Sequence, residues 1–154
     1  KKAAALTAVG DVLKGVAAVC LGRWLFGHLP ADAAVSPYLG VYLAAILAVV
    51  GHSKPIYFGF KGGKAVATSI GVLIPLAFWQ LLIAVCICLF LIWRSGFVSL
   101  GSLALVTSMP ILLALSGKFS LLPLSLIILA LVFWSHRENI RRLAKGEEKT
   151  WVKK

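Results

Sequence analysis

Apolar residues run almost unbroken through positions 3–26, 35–50, 65–75, 76–93, 97–115 and 119–135, and polar residues gather in the gaps between them. A helix needs about 20 such residues to cross a bilayer core of about 30 Å. The stretch 65–93 contains no charge, and one straight helix over it would span about 43 Å, too long for a single crossing. Pro75, with Gly71 four residues earlier, offers a place to turn or break. The piece before it would be about 16 Å long, crossing a thinned region or dipping in under the cover of its neighbours.

Charge supports the same break. The tail after Ser135 carries Arg137, Arg141, Arg142, Lys145, Lys149, Lys153 and Lys154, and the loop at Gly51–Lys64 carries Lys54, Lys61 and Lys64. The positive-inside rule places both in the cytoplasm, so an even number of crossings must separate them. A split at Pro75 makes four crossings; an unbroken run makes three. Lys1, Lys2 and Arg94 then fall inside as well, with the loops at 27–34 and 116–118 outside. The expected fold class is an all-α polytopic membrane protein with about six transmembrane helices in this chain, one of them short, near 65–75. Positions 1–154 read as a single transmembrane domain with no internal repeat.

Composition agrees. Sixty per cent of the 154 residues are hydrophobic and 14% charged, against about a quarter charged in a soluble domain; mean hydropathy is +0.96. The net charge of +11 fits positive-inside loops and anionic lipid. Nucleic-acid binding is excluded as a reading, because the basic residues are split among short loops and a tail with no soluble domain to present them. Cys20, Cys86 and Cys88 lie inside apolar runs, and Cys86 and Cys88 would point about 200° apart on a helix, which suits packing and not a shared metal.

Four constellations carry candidate chemistry. Lys61-Gly62-Gly63-Lys64 combines cations with backbone that can form a concave anion site, and a helix beginning near Lys64 would aim free N–H groups at the same point. It is not a Walker A loop, because Ala65 follows Lys64 where Ser or Thr is required. The bland alternative is a glycine turn with snorkelling lysines. His52, at the end of the second run, could bind phosphate, move a proton or hold the loop by a hydrogen bond. Asp11 and Lys14 share a helix face and can neutralise each other, as a structural pair or as a functional one. In the tail, His136, Asn139 and Arg142 share a face if the last helix continues, which suits a phosphorylated polar substrate; an amphipathic, lipid-facing tail is the alternative.

Together these segments resemble the bacterial membrane glycerol-3-phosphate acyltransferases that use acyl phosphate as donor. The middle motif of that family, G-H-x-x-P, then F-K-G-G-K, then V-A-T, matches Gly51, His52, Pro55, Phe60 to Lys64 and Val66-Ala67-Thr68. Its last motif, H-R-x-N-I-x-R-L with a later G-x-E, matches His136, Arg137, Asn139, Ile140, Arg142, Leu143, Gly146 and Glu148. D-x-x-K-G matches Asp11, Lys14 and Gly15, and S-L-x-S matches Ser99, Leu100 and Ser102. Lys54 stands where an aromatic residue is usual, and Ala65 where glycine is usual. The family also has an upstream helix and a Gly/Asn-rich motif that this chain starts after, so the resemblance implies seven helices in a full-length protein.

The resemblance implies transfer of a fatty acyl group from acyl phosphate to the 1-hydroxyl of glycerol 3-phosphate, giving lysophosphatidate and phosphate at the cytoplasmic face of the inner membrane. His136, Asn139 and Ser102 are the implied catalytic residues. Lys61, Gly62, Gly63, Lys64 and Arg142 would bind substrate phosphate, and His52, Thr68, Asp11, Lys14 and Glu148 would support them. The proton acceptor is His136 or the departing phosphate. No metal or cofactor is expected; membrane lipid and the enzyme that makes acyl phosphate are expected partners. A carrier for a small organic phosphate or other anion is the rival function.

Overall fold

The computed structural model describes residues 2–28, 37–60 and 62–151, and the secondary structure among them is entirely helical. The helices are α1 (Lys2–Phe26), α2 (Pro37–Ser53), α3 (Val66–Ser95), α4 (Val98–Leu115), α5 (Leu122–Ser135) and α6 (Arg137–Lys145), with single 3-10 turns at Ile56–Phe58 and Phe119–Leu121. Apart from a residue or a single turn at their starts, the described parts of the six apolar runs lie in these helices. By length and apolarity, α1, α3 and α4 can each cross a membrane, and α5 with α6 adds a fourth span if the bent pair counts as one. The crossing count from length alone is lower than six because α2 is short and residues 66–95 make one long helix with a single interruption. Large apolar side chains such as Leu6, Leu47, Trp79 and Leu115 stay exposed, as lipid, unlike water, allows.

The interruption in α3 falls at Ala77 (φ −150, ψ 52), two residues beyond Pro75. Proline lacks the N–H that would close the turn before it, and its ring crowds the preceding carbonyl, so the ladder fails locally. Beside the interruption an arginine supplies a side-chain donor: Arg23 Nη2 donates to the Pro75 carbonyl at 2.9 Å. Such a partner is what keeps a broken helix tolerable away from water.

The chain divides at this break into two compact units, residues 1–77 and 78–154. In the first, α1 meets the opening turns of α3 backbone to backbone. A Cβ on Gly15 would lie 2.5 Å from the Thr68 carbonyl, and one on Gly71 would strike the Val12 carbonyl. Close approach through small residues is how helices associate in lipid, where burial of apolar surface supplies no drive.

In the second unit, Gly96 (φ 76) and Gly117 (φ 71) turn the chain between α3 and α4 and after α4. Gly101 lets α4 approach Cys88 and Ile92 of α3. Helix α6 departs from α5 with a bend of 62° and stops at Gly146 (φ 72), whose N–H bonds the Leu143 carbonyl at 3.1 Å while Glu147 N–H bonds that of Arg142 at 2.8 Å. This left-handed cap reverses the chain. The tail then returns to the α3–α4 turn, where Trp151 N–H donates to the Gly96 carbonyl at 2.7 Å.

Candidate functional site

Each unit holds one polar cluster. In the second unit the centre is Glu148. Its Oε1 accepts from Ser99 Oγ at 2.7 Å and Asn139 Nδ2 at 2.6 Å, and its Oε2 accepts from Arg142 Nε at 2.8 Å. The carboxylate side chain is 6% exposed. Burial pushes its pKa upward, but hydrogen bonds from Asn139, Ser99 and Arg142, with the Arg142 charge, outweigh burial and hold it at about 2. The reversal at Gly146 is what brings position 148 back alongside α6.

These contacts fix the polarity of their partners. A carboxylate only accepts, so Asn139 must present Nδ2 to Glu148 and turn Oδ1 away as an acceptor. Arg142 uses Nε on Glu148, and its two terminal nitrogens take no partner among the described residues. His136 sits in the bend between α5 and α6, buried, and its Nδ1 donates to the Val132 carbonyl at 2.9 Å. A carbonyl also only accepts, so Nδ1 carries the proton and Nε2 is the acceptor of the neutral ring.

In the first unit, Lys14 Nζ lies 2.6 Å from Asp11 Oδ1 and 2.6 Å from His52 Nδ1, and that nitrogen is 3.3 Å from the same carboxylate oxygen. An ammonium only donates, so it bridges Asp11 to His52 and leaves the imidazole proton on Nε2. That edge of the ring faces the glycine loop. A Cβ on Gly63 would collide with Nε2, and one on Gly62 would collide with the His52 carbonyl. Gly63 N–H bonds that carbonyl at 3.2 Å. Both glycines are therefore required by contact, which the bland glycine-turn reading did not foresee.

Beyond the loop, Lys64 is exposed and makes no ion pair among the described residues. Ala65 then enters α3 with φ 61 and is buried, and the Thr68 hydroxyl in the first turn is buried with no partner. Helix-start N–H groups and an exposed lysine favour an anion here, whereas the Thr68 hydroxyl is fully enclosed. Lys61 lies outside the described residues.

Set against the sequence, the Asp11–Lys14 pair is found as expected, and Asn139 and Arg142 do converge. Two assignments change. Ser102, expected to contribute a hydrogen bond to the site, donates to the Val98 carbonyl of its own helix at 3.0 Å; the serine that reaches the cluster is Ser99. Glu148, expected as a supporting residue, is the hub on which three donors meet. The S-L-x-S match signals both serines equally, and only the direction of helix α4 separates them. Cys86 is exposed and Cys88 buried, on the separate faces that their spacing predicts.

Comparison with known proteins gives the family of the chain. A family model described as Glycerol-3-phosphate acyltransferase matches residues 1–146. A glycerol-3-phosphate acyltransferase of Lawsonia intracellularis is 55% identical over 151 residues, covering 98% of this chain and 72% of that one. One from Nitratidesulfovibrio vulgaris is 50% identical, covering 99% of this chain and 44% of its own length; a third, from Desulfovibrio desulfuricans, is 52% identical and covered over 62% of its length. The chain thus spans about half to three quarters of these relatives. The crystal structure of PlsY (YgiH), an integral membrane glycerol 3-phosphate acyltransferase, in its glycerol 3-phosphate form superposes with a TM-score of 0.87 at 31% identity, covering 99% of this chain and 72% of that one. Its lysophosphatidic acid form superposes with 0.85 at 32% identity, covering 97% and 73%.

Proposed function

The chain belongs to the glycerol-3-phosphate acyltransferase family, and from that premise we propose that it carries an acyltransferase that moves a fatty acyl group from acyl phosphate to the 1-hydroxyl of glycerol 3-phosphate. The observation that carries the substrate assignment is the polarity imposed by Glu148. It leaves an amide acceptor, Asn139 Oδ1, one turn from a guanidinium whose terminal donors are unengaged. A polyol phosphate offers the complement: hydroxyl donors at one end and acceptor oxygens at the other.

The acid anhydride of the donor needs no covalent enzyme intermediate. The hydroxyl oxygen attacks the acyl carbonyl carbon, the new ester C–O bond forms, and the bond from that carbon to the phosphate oxygen breaks. Phosphate departs with the proton of the hydroxyl. Buried His136, its Nδ1 proton held by a carbonyl, orients the acceptor substrate in this scheme. Lys61, Lys64, the Gly62-Gly63 backbone and the start of α3 neutralise the donor's phosphate, where positioning and charge compensation supply the rate. The positive loops and tail support a site at the cytoplasmic face of the inner membrane, and the enzyme that makes acyl phosphate is the partner this reading proposes.

The test is the full-length protein in lipid, given acyl phosphate and glycerol 3-phosphate, with lysophosphatidate and phosphate measured. Product in equal molar amounts is expected, and none when acyl-CoA replaces acyl phosphate. Uptake of either phosphate without product would replace this reading with the anion carrier. A His136→Ala variant that raises KM with kcat unchanged supports the orienting role, and a fall in kcat alone assigns His136 the proton.

A further inference from the structure

Helix α6 has a second face that the substrate site leaves unused. At about 100° per residue, Arg137, Arg141 and Lys145 form one stripe along it, and all three are exposed. Asn139 and Arg142, which bind Glu148, lie away from that stripe. Glu138 flanks it but pairs with none of the three cations among the described residues. Exposed Ala144 and half-buried Ile140 border the other side.

Three features indicate what this face meets. First, α5 is apolar throughout and α6 leaves it at 62°, so if α5 runs across the bilayer, α6 lies nearer the membrane plane than its normal. Second, the turn is marked by Trp134, 65% exposed, the residue type that concentrates at the headgroup level. Third, the Arg137 guanidinium is pinned there, 5.5 Å over the Trp134 ring and donating to its carbonyl at 3.1 Å. The stripe therefore starts at the interface and continues along it.

We infer that the Arg137–Arg141–Lys145 face of α6 docks on anionic phospholipid headgroups, which hold α6 down while its opposite face serves Glu148. The occupant is a lipid surface rather than free phosphate because the cations are spread over two turns of helix, farther apart than one phosphate reaches, and because the face adjoins an interfacial tryptophan. The inference does not depend on which substrate the Glu148 cluster takes. Each cation near an anionic surface is worth about a fivefold shift in the docking equilibrium, so two of them together contribute roughly 25-fold.

Amide hydrogen exchange of α6 in the full-length protein tests this, comparing bilayers of phosphatidylcholine with bilayers containing about one third phosphatidylglycerol. Exchange is expected to slow about tenfold or more in the anionic bilayer, with the effect lost in R141Q/K145Q and retained in R141K. Equal exchange in both bilayers overturns the proposal, as does protection that persists in R141Q/K145Q. Inorganic phosphate added to the phosphatidylcholine bilayer should not reproduce the protection; if it does, the face binds free anion and the lipid assignment fails. Activity of R141Q/K145Q in phosphatidylcholine reports that the variant is folded, since neither side chain touches the Glu148 cluster.

Discussion

Glu148 collects donors from α4 and α6 and, at 6% exposed, leaves almost none of its carboxylate to solvent. Asp11 meets a lysine from one turn along its own helix, shares it with His52, and is 19% exposed. The Glu148 cluster is balanced, with one carboxylate against one guanidinium and two neutral donors. In the other unit Asp11 offsets one ammonium, and Lys64 and the start of α3 have no counter-ion among the described residues. A balanced, closed network presets directions: it decides which atom of Asn139 and which nitrogens of Arg142 face outward. An open cationic one presets attraction. The first should therefore govern geometry during reaction and the second the capture of an anion.

Changes to the closed network should have the largest effects. Glu148→Ala leaves a cation and two polar groups without their shared partner, and breaking such a pair costs about 3 kcal/mol or more. The expected result is a fall of roughly a hundredfold in kcat/KM for glycerol 3-phosphate, carried mainly by kcat; a change confined to KM of the acyl donor would reverse the assignment of the two clusters. Gly63→Ala drives a methyl into the His52 ring, and overpacking of this kind costs about 1–3 kcal/mol. Activity should fall roughly thirtyfold through KM for acyl phosphate, whereas Gly10→Ala, with nothing within 4 Å of the added methyl, should be silent.

Serine substitutions sharpen the comparison within one helix. Ser99→Ala removes a hydrogen bond to a charged acceptor, worth about 1.5 kcal/mol, so about a tenfold loss in kcat/KM is expected. Ser102→Ala removes only a bond to its own helix and should change kcat/KM less than about twofold. Equal losses would show that Glu148 does not discriminate between them.

The closed network also has a pH signature. The folded pKa of Glu148, about 2, lies below its ordinary value of 4.5, so the deprotonated form is favoured by folding. The stability it contributes is fully present above pH 4.5 and drains away as pH falls toward 2. Protection of the Glu147 and Trp151 amides, taken relative to their intrinsic exchange at each pH, should hold down to the upper limit and fall below it. The smallest effect belongs to the other unit. Ala65→Gly releases a left-handed alanine, worth about 1–2 kcal/mol, but removes a buried methyl worth about 0.8 kcal/mol. A net gain of less than about 1 kcal/mol in stability is expected, read by thermal unfolding in detergent.

Much of this was legible in the sequence. The helices follow from the long apolar runs, and Pro75 marks the neighbourhood of the interruption within 65–93. The Asp11–Lys14 pair follows from helical spacing alone. His52 was flagged without its partners, because Lys14 is 38 positions away. Ser99 and Ser102 are three apart on one helix and both buried, so the motif alone does not say which hydroxyl meets Glu148, a partner that arrives from 49 positions away. The position of the break at Ala77 was not legible either, because proline disturbs the turn before it and the break falls after it.

What the sequence determined by itself is everything set within a turn or two of helix: the spans, the weak point near Pro75, the Asp11–Lys14 pair, and the basic stripe at Arg137, Arg141 and Lys145. Helical periodicity and solvent preference act locally and leave their mark in consecutive residues. Only the tertiary structure decided that Glu148 gathers Ser99 from 49 positions away, that Lys14 bridges to His52, and that Arg23 caps the carbonyl of Pro75 across 52 positions. Those contacts depend on which helix faces pack together and where glycine lets backbones approach, and a directional hydrogen bond forms only once both partners have been brought within about 3 Å.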